Sequence, residues 1–587
     1  MSLISRTWRR FRGGLAAVPL FGLLAVFFFA PLVSTFWESF YGLSFDFSKY
    51  AAVFSEPTNF RILAHTLAVG LAVTAASVIV GYPVAYHLTR LRPRLFTLVT
   101  AVVLVPLFTA FLIRTYAWIV ILGRQGIVNN ALVWLGVIQE PLTILNTTTA
   151  VVIGMTHVFV PMAIFTIYAG MVRIDDAYVR AALILGANPV KSFVRVYFPM
   201  TLPSVLSAAV LIFIVAIGFY ITPSLLGGPA DTMISQLVVV QMTTLLDFEM
   251  GYALSVVLLV ATLAIILLAG LVVPLELIWS AAAAAPRKAT GGKAHTAFRR
   301  ITRAMLSTVE DVVFCVIRPF LTANIPWLTI YTAAVLAFLA APLLVVCILS
   351  FSSSPFVIFP PPGFSLQWWE KLYLAQDWHA ALLASLKLGL ATAVGSTVVG
   401  TMGAFWLVRA AVPAKRLLYL LTLAPLIVPV IVTATSLYVF EARLRLLGTF
   451  PGLLIGHMLL ATPYVVVIMS SALRGLDRTL EQAAAINGAR MSQTLRWVTL
   501  PLLAPALVTA GLLAFLTSFD ELLVSIFLLG RQTPTLPIKF WGDIKYQIDP
   551  MLSTASTLIV VMIIIAVLLA QWFRLRQERR NSHPTGG

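Results

Sequence analysis

The chain has 587 residues, of which 60% are hydrophobic and only 11% are charged, and its mean hydropathy is +0.97. Soluble proteins of this length carry about twice that share of charged residues, so the composition excludes a soluble globular enzyme and indicates a polytopic α-helical membrane protein. The net charge of +18 would also suit nucleic-acid binding, but excess Lys and Arg is typical of cytoplasmic loops of membrane proteins, and we expect no nucleic-acid partner.

Twelve apolar runs are predicted to span the membrane, six in each half of the chain. Arg6, Arg9, Arg10 and Arg12 precede the first run, which we interpret as a retained span because no clear small-residue cleavage site follows it. The predicted spans are 15–36, 62–89, 95–113, 147–172, 202–226 and 250–276 in the first half, and 327–350, 380–408, 417–440, 452–472, 502–529 and 551–573 in the second.

The predicted domains are a first half at 1–276, a linker at 277–326 and a second half at 327–587. The linker combines Ala281–Ala285 and Gly291-Gly292 with a basic amphipathic piece at 298–320. This pattern favours a tether on the inner membrane surface over a regulatory element.

The basic residues predict the orientation. With the N-terminus inside, the cytoplasmic segments hold most of the 40 Lys and Arg residues. They include Arg90, Arg92, Arg94, the linker group between Arg287 and Arg318, and Arg574, Arg576, Arg579 and Arg580. Both termini and the connections 173–201 and 474–503 are therefore predicted to be cytoplasmic.

The two halves are predicted to be a duplication. The region of Gly81 aligns with that of Gly400, and Pro106 aligns with Pro425. Further along, Gly154 matches Gly456 and Pro161 matches Pro463 at a smaller offset, so the first half has extra residues in the external loop 114–141. Because each half has an even number of spans, both insert in the same orientation, related by an axis along the membrane normal.

A short pattern occurs at the same place in both halves. Its helix-forming residues end at a glycine that suits the left-handed position after a helix. Asn188-Pro189 then favours the start of a second short helix in the first copy, whereas Arg490-Met491 predicts a less clear start in the second. Two copies in register argue against an ordinary basic loop. The copies are Arg180-Ala181-Ala182-Leu183-Ile184-Leu185-Gly186 with Pro199, and Gln482-Ala483-Ala484-Ala485-Ile486-Asn487-Gly488 with Pro501.

This pattern resembles the EAA loop in permease subunits of bacterial ATP-binding-cassette importers of type I. The resemblance implies an all-α fold with two tandem six-helix halves of the MetI-like kind. It also implies that each loop docks into one of two separate ATPase subunits through Ala181, Ala182, Gly186 and Pro199, or through Ala483, Ala484, Gly488 and Pro501. Arg180 and Gln482 stand where the family usually has Glu, and Glu481 lies one residue early.

Further segments are similar to the two permease subunits of spermidine/putrescine importers. Three segments of the first half resemble the B-type subunit, namely Arg114–Trp118, Gly123–Asn130 and Leu225–Pro229. Three segments of the second half resemble the C-type subunit, namely Ser350–Ser352, Trp369–Tyr373 and Ser518–Glu521. The resemblance implies a fused permease in a bacterial inner membrane, a periplasmic binding protein as partner and a polyamine as favoured cargo. Importers of iron(III), sulfate, opines and aminophosphonates share this scaffold, so those cargoes remain alternatives.

The sequence offers no catalytic or metal-binding candidate. It has no G-x-x-x-x-G-K-[ST] motif, because Gly291-Gly292-Lys293 has no matching glycine upstream and no Ser or Thr after the lysine. ATP and Mg²⁺ are therefore expected on the partner ATPase, with no cofactor on this chain. Cys315 and Cys347 indicate neither a disulfide nor a metal site. An ion-gradient-driven secondary transporter is the alternative class, but it would need more intramembrane charges and would not explain two matched loops.

Asp520-Glu521 is an ionisable pair inside an otherwise apolar run, which is costly in a membrane and by default functional. We expect it to hold an ammonium group of a cationic cargo, with capping of a broken helix or pairing with an Arg as the alternative. Phe219, Tyr220 and Phe519 are candidates for stacking against the cargo, with core packing as the alternative. Arg114 is predicted to be an interface anchor at the outer end of a span.

Overall fold

The computed structural model describes residues 14–40, 47–272, 326–410, 414–530, 533–546 and 548–581. The predicted linker, apart from Pro326, and the arginines ahead of the first span lie outside the described residues, as does Cys315. Within those ranges the chain is helical, with one isolated antiparallel bridge between Ser352 and Phe364. This confirms the predicted all-α class. Helices suit an apolar chain in a bilayer because they satisfy every backbone N–H and C=O internally.

The helices of the first half include long spans and short connecting pieces. They are α1 (Val18–Glu38), α2 (Ser48–Ser55), α3 (Pro57–Leu88), α4 (Pro93–Phe108), α5 (Phe111–Leu122), α6 (Ile127–Trp134), α7 (Thr148–Met171), α8 (Asp176–Ile184), α9 (Pro189–Ser192), α10 (Phe198–Ile217), α11 (Ile221–Leu226), α12 (Ile234–Thr243) and α13 (Phe248–Val272).

The second half repeats this order. Its helices are α14 (Trp327–Leu349), α15 (Gln367–Leu374), α16 (Gln376–Arg409), α17 (Lys415–Ile427), α18 (Val430–Arg443), α19 (Phe450–Gly475), α20 (Arg478–Ile486), α21 (Met491–Thr494), α22 (Leu500–Phe519), α23 (Leu523–Leu528), α24 (Leu536–Tyr546) and α25 (Pro550–Asn581).

Several of the twelve predicted spans are interrupted in the structure. Among the described residues, 10 helices are long and apolar enough to cross a membrane, or up to 11 if a bent pair counts as one span. That pair is α17 and α18, which meet at an angle of 93°. The predicted span 95–113 is likewise interrupted, because α4 ends at Phe108 after 16 residues. The predicted spans 202–226 and 502–529 each break into a long and a short helix.

The breaks after α4 and α17 lie at matched positions and have a common backbone geometry. Thr109 and Ala110 have ψ angles of 137° and 139°, and Val428 and Pro429 have ψ angles of 129° and 135°. Pro429 explains the second break, because a proline disfavours the helical conformation of the residue before it and lacks an N–H. Hydropathy alone could not reveal these breaks, because the residues on both sides are apolar.

The chain divides into two compact units. Unit I comprises Met1–Leu63, Met233–Leu263 and Ala375–Asp543, so it joins α1 to the central helices of the second half. Within it, the Phe21 ring packs edge-on against Trp406 with 5.6 Å between ring centroids. Small residues such as Ala404, Ala461, Ala510 and Ala514 let α16, α19 and α22 approach closely.

Unit II comprises Ala64–Thr232, Ala264–Leu374 and Ile544–Gly587. It joins α14 and α25 to the central helices of the first half. Its core brings residues of α14 together with residues of α3, α4 and α7, namely Val84, Leu88, Val99, Val103, Val160, Ile164, Val335 and Leu339. Each unit thus takes the first span of one sequence half and the central helices of the other, and the unit limits differ from the predicted domain limits at 276 and 327.

Matched close contacts in the two units support the duplication. A Cβ atom at Gly81 would lie 2.9 Å from the Cβ of Ala163, and one at Gly400 would lie 2.7 Å from Cγ1 of Val465. Ala163 and Val465 are themselves matched in the alignment of the halves. The same glycine therefore allows the same pair of helices to meet in each unit.

Candidate functional site

The first repeated loop is a capped helix followed by a tight turn. The Asp175 side chain accepts a hydrogen bond of 2.8 Å from the Ala177 N–H at the start of α8. At the other end, Gly186 has a φ of +86°. Two hydrogen bonds close the helix there, from Ala187 N–H to Ala182 O and from Gly186 N–H to Leu183 O. This pairing is the Schellman motif, which agrees with the predicted role of Gly186.

The second loop has the same construction. Asp477 accepts a hydrogen bond of 2.9 Å from the Thr479 N–H, and the hydrogen bonds made by Thr479 hold the pKa of the Asp477 carboxyl below its usual value. Gly488 has a φ of +85°, and Ala489 N–H donates to Ala484 O. The predicted helix and turn are therefore present in both copies.

The second short helix begins at matched positions in the two loops but is capped differently. In the first loop, Asn188 Oδ1 accepts from Lys191 N–H at 2.7 Å and starts α9 as predicted. In the second loop, Arg490 makes no side-chain cap hydrogen bond, in line with the predicted lack of an Asn-Pro cap. Gln493 Oε1 accepts from the Arg490 N–H at 2.7 Å, which is one half of a capping box.

Both loops then enter the membrane helix through the same irregular turn. A five-residue π-helical turn precedes α10 and α22, at Phe193–Tyr197 and Leu495–Thr499. Pro199 and Pro501 follow as the second residues of α10 and α22. Because proline lacks an N–H, each leaves a carbonyl of the preceding π-helical turn without its helical donor.

The helix of each loop, α8 or α20, ends in an exposed isoleucine that the sequence did not single out. Ile184 is 85% exposed and Ile486 is 84% exposed, and both directly precede the turn at the glycine. The two residues occupy matched positions. A single exposed apolar side chain is common on proteins, but its recurrence at the same position of two matched turns favours a contact surface for another protein. The repeat already showed that the two isoleucines match. Their exposure could not be inferred from the sequence, because it depends on which other residues are buried.

The residues in place of the family glutamates do not contact the core. Arg180 and Gln482 are exposed. The carboxylate that the second loop does use is Glu481, which is buried and lies 3.0 Å from the Arg409 guanidinium at the end of α16. Thr499 also donates a hydrogen bond of 3.2 Å to Glu481. Glu481 therefore joins α20 to α16 and to the turn before α22.

Aromatic packing replaces this ion pair in the first loop. Val179 and Arg90 stand at the positions of Glu481 and Arg409. The Arg90 guanidinium lies 4.1 Å from the centre of the Tyr86 ring, and that ring packs against Phe193 and Tyr197 of the π-helical turn. The two loops thus share a shape but are held to their units by different interactions.

Substituting either turn glycine is expected to loosen its loop. No atom lies within 4 Å of a Cβ built at Gly186 or Gly488, so the cost of Gly488→Ala comes only from the left-handed backbone, at about 1–2 kcal/mol. Faster hydrogen exchange of the α20 amides would measure this cost. Gly475→Ala is the control, because that site also has open space and its φ is not positive. Equal exchange in the two variants would contradict the account.

The predicted transport-path pair lies at the break between α22 and α23. Glu521 Oε1 accepts a hydrogen bond of 3.0 Å from Val524 N–H, so it caps the short helix α23. Asp520 occupies the C-terminal cap position of α22. Phe519 stacks on Phe515 with ring centroids 5.4 Å apart. The capping alternative thus describes part of what Glu521 does.

The aromatic candidates of the first half are core residues of unit II. Phe219 is buried and packs edge-on against Phe111 and Phe159, and Tyr220 is buried beside it. Arg114 is only 1% exposed, with its guanidinium 4.9 Å from the centre of the Phe111 ring. The expectation of an interface anchor was wrong for Arg114, because its side chain turns into the helix bundle.

A buried polar network near Glu521 was also missed. His457 makes hydrogen bonds to Ser518 at 2.8 Å and to Ser525 at 3.0 Å. Ser525 in turn donates to the Glu521 backbone carbonyl, and Ser518 donates to Thr392. These contacts join α19 to α22 and α23 and to α16, which lies far away in sequence, so no local pattern could predict them.

A family model described as "Binding-protein-dependent transport system inner membrane component" matches the chain twice, at residues 68–275 and 396–583. Together the two matches cover more than half of the chain, with one in each predicted half.

Curated relatives match either half. The spermidine/putrescine transport system permease protein PotB of Escherichia coli (strain K12) is 30% identical over 249 residues, which cover 41% of this chain and 90% of that protein. The putrescine transport system permease protein PotI of the same strain is 31% identical over 264 residues, which cover 44% of this chain and 93% of that protein.

Among solved structures, a bacterial ABC transporter involved in the import of the acidic polysaccharide alginate has 18% sequence identity to this chain. The match covers 45% of this chain and 97% of that chain, with a TM-score of 0.37.

Proposed function

The chain belongs to the family of binding-protein-dependent transport system inner membrane components, and on that premise we propose that it is the fused permease of an ATP-binding-cassette importer for polyamines. It spans a bacterial inner membrane many times with both termini in the cytoplasm. A periplasmic binding protein delivers the cargo, and two separate ATPase subunits supply the energy. The observation that carries this proposal is the pair of matched rigid loops, each with an exposed isoleucine at its turn.

The geometry of the loops suits the transmission of movement. The helix of each loop, α8 or α20, has a capped start and an end closed by the hydrogen bonds of the glycine turn. Each helix therefore moves as a rigid piece with the ATPase that binds it. The ion pair of Glu481 with Arg409 joins α20 to a membrane-spanning helix. In the first loop, the aromatic cluster around Tyr86 makes the corresponding connection. Nucleotide binding drives transport because the ATPases prefer one arrangement of the permease over another.

The cargo assignment rests on the named relatives and on Asp520-Glu521. The relatives PotB and PotI are permeases of spermidine/putrescine and putrescine systems. A carboxylate pair at a helix break in an apolar region suits a polyamine, whose ammonium groups need anionic partners when they leave water. Phe519 offers an aromatic face on the same element.

Neutralising the pair is expected to reduce uptake of a cationic cargo at least about tenfold. A factor of this size corresponds to the free energy of one lost charge-assisted hydrogen bond. The variant D520N/E521Q keeps the shape of both side chains, and the amide oxygen that it introduces at position 521 still accepts from the Val524 N–H. ATPase binding should therefore stay intact. Uptake by proteoliposomes measures the effect, with E370Q as a control that removes one exposed carboxylate elsewhere. Wild-type uptake in the double variant would contradict the path assignment.

Competition tests the cargo class. Uptake of labelled spermidine into proteoliposomes that contain the permease, its ATPase and its binding protein should be blocked by excess putrescine. Excess iron(III), an opine or an aminophosphonate should leave uptake unchanged. If spermidine is not taken up but one of these other solutes is, that solute is the cargo, and the permease assignment stands.

A further inference from the structure

A polar cavity of about 480 Å³ lies in unit I, beside the second docking loop. It is bounded by the end of α16, the start of α17, the end of α19 and the start of α20. Its lining is Leu407, Val408, Lys415, Leu473, Arg474, Gly475, Leu476, Asp477 and Arg478. Three of these nine residues are cationic and one is acidic, so the cavity has a positive character.

Two of the three cations are held in place by contacts that leave their charge unbalanced. Lys415 Nζ donates hydrogen bonds of 3.0 Å to the carbonyls of Val408 and Ala410. The Arg474 guanidinium lies 5.5 Å from the centre of the Tyr419 ring. Among the described residues, neither Arg474 nor Arg478 forms an ion pair. A carbonyl and an aromatic ring orient a cation without neutralising it, so an anion can still bind.

The acidic residue of the lining offsets only one of the three positive charges. The Asp477 carboxylate accepts a hydrogen bond from the Thr479 N–H and caps α20. Among the described residues it forms no ion pair with Arg474 or Arg478, so both keep their donors available.

The first half lacks this arrangement. Phe96, Val172 and Asp176 stand at the positions of Lys415, Arg474 and Arg478 in the alignment of the two halves. Two cations are replaced by apolar side chains and the third by an acid. ATPase docking therefore does not explain the three cations, because both loops share the docking shape.

We propose that this cavity binds the phosphate group of an anionic ligand. Two arginines and a lysine around a half-open polar cavity suit a phosphate, because guanidinium groups bind its oxygens with paired hydrogen bonds. The ligand would contact Arg478, the first residue of α20, and so connect the membrane helices to the docking helix. The phosphate comes from a phospholipid headgroup of the membrane or from a soluble phosphate. The proposal does not depend on the cargo.

The test uses the full chain purified in detergent, without any ATPase. Phosphatidylglycerol binding is followed by native mass spectrometry, with phosphatidylcholine as the comparison lipid, and inorganic phosphate binding is followed by calorimetry. We expect R474Q/R478Q to bind the anion at least about tenfold more weakly than the wild type. R490Q/R496Q, which removes the same charge from exposed sites of the same loop, should bind as the wild type does. R474K/R478K, which keeps the charge but loses the paired hydrogen bonds, should bind more tightly than R474Q/R478Q and more weakly than the wild type.

The two ligands distinguish the source of the phosphate. Tight binding of phosphatidylglycerol with no binding of inorganic phosphate identifies a lipid site, and binding of inorganic phosphate identifies a soluble ligand. The proposal is overturned if R474Q/R478Q binds the anion as the wild type does. It is also overturned if the chain binds no phosphate and does not distinguish the two lipids.

Discussion

Replacing Ile184 or Ile486 by aspartate should weaken ATPase binding at the altered loop by about 2 kcal/mol, which is about thirtyfold in affinity. Each isoleucine is more than four-fifths exposed in the chain alone, so the substitution removes nothing from the permease core. In the complex, each side chain is expected to enter an apolar pocket of the ATPase. A carboxylate there loses the burial of the isoleucine and adds the cost of desolvating a charge.

Affinity of the purified permease for its ATPase measures this effect, and I184D/I486D should lose ATP-dependent uptake altogether. S492D is the matched control, because it adds the same charge to an exposed site in the first turn of α21, where an acid is favourable. Wild-type affinity in I184D/I486D would show that the isoleucines do not form the contact.

Replacing Glu481 by alanine should destabilise the second docking loop by about 3 kcal/mol or more. The change leaves the Arg409 guanidinium buried without its carboxylate, and breaking one partner of a buried ion pair is costly for that reason. The Arg409 side chain is 6% exposed and that of Glu481 is 7% exposed, so water cannot replace the lost partner. Hydrogen exchange of the α20 amides should rise sharply, while exchange in α8 of the first loop should not change.

Two further variants separate the ion pair from simple packing. V179A removes side-chain volume at the matched position of the first loop without leaving a charge, and it should cost less than about 1.5 kcal/mol. R409M/E481L replaces both charges with apolar side chains and should recover most of the stability lost in E481A. If E481A and V179A have equal effects, the ion pair does not hold the loop.

The helix and the turn of each repeated loop could be predicted from the sequence because their information is local. Each loop contains a helix-forming run, a glycine at the left-handed position and a proline before the next span. This arrangement occurs twice. The same reasoning placed the start of α9 correctly, from Asn188-Pro189. It also predicted the absence of a side-chain cap at Arg490, but it did not consider Gln493, which accepts from the Arg490 N–H.

The rest depended on contacts between distant residues. Arg409 and Glu481 are 72 positions apart, so their ion pair could not be found from spacing. Arg114 was placed at an interface because it lies at the outer end of a predicted span, but aromatic and backbone contacts hold it inside. The breaks after α4 and α17 are invisible to hydropathy because apolar residues flank them, and the backbone of Thr109 has no clear sequence signature.

Uptake into sealed proteoliposomes tests the central claim most directly. The vesicles contain the permease and its ATPase, the binding protein and labelled spermidine are added outside, and ionophores collapse every ion gradient. The account predicts uptake that requires ATP at the ATPase face, persists without any gradient and is lost in I184D/I486D. Uptake that needs an ion gradient and proceeds without ATP or the ATPase would contradict it and would identify a secondary transporter.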